Sequence, residues 1–193
     1  MSFYENCIQF CKKEFKFKHG KVKIKLIESE YKSVPEDLLD QFAFVEFNEN
    51  YSDKNKKRFI AEINIRHEDC ESFYKQYPEF YKSTNERFGN FLKYNTGLEL
   101  SPETNFLLLL LHEYGHIAQL NELYKYNQDI STSFYFDNII KNTLCIMFKL
   151  SELDKYDPIR IAHNFDVSEL YADKFALEHF VFIWNKVKNI LVY

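Results

Sequence analysis

SPETNFLLLLLHEYGHIAQL, residues 101–120, reads as one buried helix that carries His-Glu-x-x-His at its centre, from His112 to His116. Ser101 is suited to the N-cap, Pro102 to the first helical position, and Glu103 to the positive end of the helix dipole. The run Phe106–Leu111 is apolar on every side, which places the helix in the core. Residues four apart on a helix lie one turn above each other, so His112 and His116 point the same way. Two imidazoles at that spacing can grip one zinc ion. Glu113, about 100° round the helix, stands beside such an ion rather than on it, where a general base for its water belongs. The bland alternative is a buried helix whose histidines hydrogen-bond to carbonyls or carboxylates.

A chain of 193 residues is most simply one domain, 1–193, with room for a substantial core. Its 46% hydrophobic and 28% charged residues fit a globular protein, and 20 Phe and 14 Tyr against 4 Gly suggest aromatic packing and much helix. The net charge of −4 gives no footprint for direct nucleic-acid binding. Lysines gather at Lys12–Lys25 and Lys54–Arg58, and a solvated face accounts for both groups. Cys7, Cys11, Cys70 and Cys145 form no CxxC pair and read as reduced thiols of a cytoplasmic protein. The opening MSFYENCIQFCKKEF lacks the layout of a signal peptide, and no run of about 20 apolar residues predicts a membrane span.

Working outward from the central helix, residues 3–18 predict a helix, and Gly20 punctuates the chain after it. Lys21–Glu28 alternates basic and apolar residues, as a half-buried strand does. Pro35-Glu36-Asp37 suits a short helical turn, and Phe42–Phe47 and Phe59–Ile65 read as strands joined by a hairpin-type loop. In the latter strand Phe59, Ala61, Ile63 and Ile65 face one way and Ile60, Glu62, Asn64 and Arg66 the other. A helix is expected over about 68–81, with Pro78 near its end, and then loop with a short helix over 82–100. Beyond Leu120, helices are expected at about 134–153 and 167–188, with a break at Asp157-Pro158. The order describes an α+β domain, mostly helical, with a small sheet of about three strands.

Catalytic zinc usually takes three protein ligands and keeps a fourth position for water. The extended pattern HExxHxxGxxH would need Gly at position 119 and His at 122, where this chain has Gln119 and Glu122. Glu122 on a continuing helix projects about 240° from the histidine line. The better source is SELYADKFA, residues 168–176, in which Glu169 and Asp173 share one helix face. Such a pair can divide the work: the glutamate ligates, and the aspartate accepts the second ring N–H of a ligand histidine. Small Ala172 and Ala176 permit close approach to the central helix. Glu169 also suits a capping box with Asp166 as N-cap, and Asp173 also suits an exposed helix carboxylate.

HExxH followed some fifty residues later by ExxAD resembles the gluzincin zinc metallopeptidases. Element order and SELYADKFAL most resemble the small ImmA/IrrE-type peptidases. The likeness covers about Phe106–Leu120 and Ser168–Leu177. It implies a compact zincin-like fold, a Zn2+ cofactor, His112, His116 and Glu169 as ligands, Glu113 as base and Asp173 behind a ligand histidine. It also implies cleavage of a peptide bond in a cytosolic protein partner. That partner could be a separate transcriptional regulator or repressor, because no helix-turn-helix is recognisable in this chain. His163, Tyr171 and Tyr124 are available by type as oxyanion donors, His163 because it precedes the Glu169 helix by a few residues. In zincins the substrate commonly adds a strand to a sheet edge, for which Phe59–Ile65 is the candidate, with an interior position as its alternative. Two other readings stay open: a zincin-fold binding or sensor module with little hydrolysis, and a structural metal site. Structural zinc favours four protein ligands, often cysteine, and no cysteine falls near the motif.

Overall fold

Alternation in the first half of the chain and apolar runs in the second fold into separate layers. The computed structural model describes residues 2–27, 42–49, 59–66, 75, 78–126 and 167–189. In chain order these form α1 (Phe3–Glu14), β1 (Gly20–Ile27), β2 (Ala43–Glu49), β3 (Phe59–Arg66), α2 (Pro78–Phe91), α3 (Pro102–Tyr126) and α4 (Val167–Val187). A π-helical turn, Leu92–Thr96, extends α2. The domain is α+β and mostly helical, and among the described residues no helix is long and apolar enough to cross a membrane.

The three strands form one sheet in the order β1-β3-β2. β3 pairs in parallel with β1, Gly20 opposite Phe59, and antiparallel with β2, Ala43 opposite Ile65. The central place of β3 corrects its assignment as the candidate substrate edge: both of its edges are already hydrogen-bonded, and among the described residues the outer strands are β1 and β2. Phe59, Ala61, Ile63 and Ile65 are all fully buried, and Asn64 on the other face is buried as well, donating to Glu46 Oε2 at 3.2 Å. A strand covered that heavily suits the middle of a sheet. On β1, by contrast, Lys21, Lys23 and Lys25 are exposed.

α3 is the spine of the helical layer. Ser101 caps it, its hydroxyl accepting from the Thr104 N–H at 3.2 Å. Phe106 to Leu111 are all buried. Burying each such side chain contributes about 1.5–3 kcal/mol, against roughly 1–2 kcal/mol per residue for ordering the backbone. The helix runs on beyond Leu120 to Tyr126, and near this end Tyr124 stacks on Phe59 with ring centroids 5.6 Å apart. Nearby, the His19 N–H donates to Asn121 Oδ1 at 3.0 Å, tying this end of α3 to the start of β1. Glu122 points away into an exposed pair with Lys125, as the turn arithmetic required.

α1 and α4 flank α3. α1 opens on a capping box between Ser2 and Glu5 and ends at Glu14, earlier than the expected 18. It buries Phe3, Ile8 and the free thiols of Cys7 and Cys11. Phe3 meets Trp184 of α4 edge-on at 5.8 Å, and Phe15, just past α1, meets Tyr114 and Phe175 at 5.2 and 5.1 Å. The region before α3 differs from expectation. Pro78 is the first residue of α2 rather than near the end of a helix, a position where its missing N–H costs nothing. Residues 82–96 are helical rather than mostly loop. Phe88 and Leu92 bury one face, and Gly97, at φ +70°, ends the π turn in the left-handed conformation that glycine adopts freely. Expected elements at 35–37 and 134–153, the break at 157–158, and the 68–77 part of the expected 68–81 helix, apart from residue 75, lie outside the described residues.

Candidate metal centre

Gly115, inside His112–His116, and Ala172, between Glu169 and Asp173, form the crossing of α3 and α4. A Cβ on Gly115 would lie 2.6 Å from Ala172 Cα and 2.9 Å from its carbonyl oxygen. Ala172 and Ala176 are fully buried, and α3 and α4 make the most extensive contact between helices among the described residues. Small residues at the crossing bring the two motifs within reach of each other.

His112, His116 and Glu169 converge there. The two Nε2 atoms are 3.2 Å apart, and the rings stand at 89° to each other. Glu169 spans both: Oε2 lies 3.2 Å from His112 Nε2 and Oε1 3.4 Å from His116 Nε2. Donor atoms of all three fall within 4.8 Å of one another, so the group can hold a metal ion. A tetrahedron with metal–ligand bonds of about 2.0–2.1 Å has edges of about 3.3–3.4 Å, close to these separations. Two nitrogens and a carboxylate are also a donor set that zinc accepts.

Behind His112 stands Asp173. Its Oδ1 accepts from His112 Nδ1 at 2.8 Å, which puts a proton on Nδ1 and leaves the Nε2 lone pair for a metal. Arg87 of α2 grips the same carboxylate, Nη2 to Oδ1 and Nε to Oδ2, the latter at 3.1 Å. Asp173 is thus not an ordinary exposed carboxylate. Burial raises its carboxyl, but the hydrogen bond from His112 and the charges of His112 and Arg87 outweigh burial and hold it below the usual range.

The motif residues are buried: His112 and Glu113 are each 5% exposed and His116 is 8%. Burial opposes a charge on His112, yet the hydrogen bonds to Asp173 and Glu169 and the charges of Glu169 and Glu113 raise its pKa to about 9 in the metal-free site. Burial pushes the Glu113 carboxyl up to about 7, with Glu169 adding to the rise and His112 and Arg87 opposing it. Glu113 is outside the donor group, as its place on the helix required.

Of the candidate oxyanion donors, His163 lies outside the described residues, as does Asp166. Tyr124 packs on Phe59 and His19 at the far end of α3, and Tyr171 is partly exposed, its phenol raised by burial and by the charges of Glu122 and Glu178. Arg87 is the residue that sequence reasoning missed. Its one visible signal was scarcity: the chain has 4 Arg against 21 Lys, and a planar fork is the reason to choose Arg.

No protein-family model matches the chain, and no curated protein or solved structure is significantly similar to it.

Proposed function

We propose that this chain is a zinc-dependent, gluzincin-like endopeptidase of zincin-like fold that hydrolyses a peptide bond in a protein or peptide substrate. The observation that carries the reading is the three-donor group, with tetrahedral edge lengths, beside a buried glutamate that does not belong to it. Among the described residues no fourth protein ligand joins the group, whereas structural zinc favours four. The resemblance of HExxH and ExxAD to the gluzincins points the same way, and its ImmA/IrrE-type members make a cytosolic regulator the natural class of substrate.

His112, His116 and Glu169 would hold the ion. Bound there, zinc supplies Lewis acidity towards a peptide carbonyl and a water of lowered pKa. Glu113 takes the proton from the attacking water and delivers it to the leaving amine. Its burial suits this task, because a carboxyl near neutrality both accepts and returns a proton readily. Asp173 holds the His112 Nδ1 proton, which fixes the tautomer through the cycle.

The test is Glu113→Gln, which keeps size and removes the base. Zinc-loaded wild type and variant are incubated with a lysate of the source cells, and new protein N-termini are labelled and identified. Termini made by wild type should fall by about 100-fold or more with the variant, at equal zinc content. Equal cleavage by both, or none by wild type while both bind the same partner, would contradict the peptidase and favour a binding or sensor module.

A further inference from the structure

We propose that Arg87 is a positioning residue of the metal centre: it fixes the carboxylate of Asp173 and, through it, the imidazole of His112. The inference rests on the metal-site reading and adds a third helix, α2, to the two that supply the donors. Two sets of contacts carry it. The guanidinium engages both Asp173 oxygens, and Oδ1 is the same atom that holds His112 Nδ1. A carboxylate held at both oxygens cannot turn about its Cβ–Cγ bond, so the plane in which it meets His112 is fixed. His112 Nε2, at the other side of the ring, is thereby aimed between His116 and Glu169.

Arg87 is itself held. Its Cζ lies 5.1 Å from the centroid of the Phe88 ring, and its Nη2 comes within 3.4 Å of His112 Nδ1. That second approach is a contact rather than a hydrogen bond, because Nδ1 already uses its proton on Asp173. The pair is not the only contact that docks α2. Phe88 and Leu92 are fully buried, and Phe91 meets Phe180 of α4 edge-on at 6.1 Å. Both charged side chains are 22% exposed, so solvent screens the pair only in part. Orientation is what the arrangement supplies. Lysine would keep the charge and lose the fork, so the two are not interchangeable here.

The experiment is a double-substitution cycle on the full chain, read as Zn2+ affinity by competition with a chelating dye. Arg87→Met should keep the fold and weaken zinc binding by about tenfold, the low end of the effect of removing a metal site's supporting partner. Arg87→Lys should recover only part of that loss. In an Asp173→Ala background, which leaves Arg87 nothing at 173 to hold, Arg87→Met should cost nothing more, because its effect passes through Asp173. A structural role for Arg87 in α2 would add its own loss in that background and overturn the proposal. So would unchanged affinity in Arg87→Met. Wild-type protein that binds no zinc would instead overturn the metal-site reading beneath it.

Discussion

Gly115 of α3 meets Ala172 of α4 so closely that a methyl group on Gly115 would sit 2.6 Å from the Ala172 Cα. The glycine of the HExxH segment and the alanine of ExxAD are thus one contact, and it places Glu169 and Asp173 on either side of His112. The obstructing atoms are backbone and cannot swing aside.

Gly115→Ala tests that contact. Helix propensity alone would favour alanine by about 1 kcal/mol, but overpacking of this kind costs about 1–3 kcal/mol. The variant should be less stable than wild type by denaturant unfolding, and should bind zinc more weakly because α4 is pushed away. A more stable protein with unchanged zinc affinity would contradict the geometry.

Asp173→Asn should preserve the fold and reduce zinc affinity by about 10–100-fold, measured by chelator competition. The amide can still meet Arg87 through its oxygen, but it no longer offers the charge that holds the His112 Nδ1 proton. Unchanged affinity would return Asp173 to the role of an ordinary helix carboxylate.

The pH dependence has a definite sign. In the metal-free protein His112 is raised from 6.5 to about 9, so its stabilising contribution is complete below about pH 6.5 and is lost as pH rises through about 9. Glu113, raised from 4.5 to about 7, acts in the same direction: its contribution is complete below about pH 4.5 and lost as pH rises through 7. Zinc needs the Nε2 lone pair of His112 and must displace its proton. Apparent zinc affinity should therefore rise by about tenfold per pH unit towards pH 9. Denaturation midpoints with and without zinc, taken between about pH 6 and about pH 9, should diverge as pH rises. A zinc-induced shift that is constant across this range would contradict the assignment of His112.

The parts of the fold written in strong periodicity were legible in the sequence. Alternation located β1 and β3 to within a residue or so, and the apolar run with its Ser101 cap located the start of α3. Strand order was not legible, because pairing depends on partners distant in the chain; only the burial of Asn64 distinguishes β3 as central. α2 was missed because its apolar residues, Phe88, Phe91 and Leu92, are sparse among polar ones, and because Pro78 suits the start of a helix as well as a boundary near its end. At the site, His112, His116, Glu169 and Asp173 were legible because helical spacing fixes which residues share a face. Arg87 was not, since nothing local ties residue 87 to residue 173.

The most direct test of the metal centre is a titration of the metal-free full chain with Zn2+, beside His116→Ala and Glu169→Ala. Wild type should bind about one zinc per chain, and each substitution should weaken binding sharply while the far-ultraviolet spectrum stays unchanged. Wild type that binds no zinc, or Glu169→Ala that binds it as tightly as wild type, would contradict the centre formed by His112, His116 and Glu169.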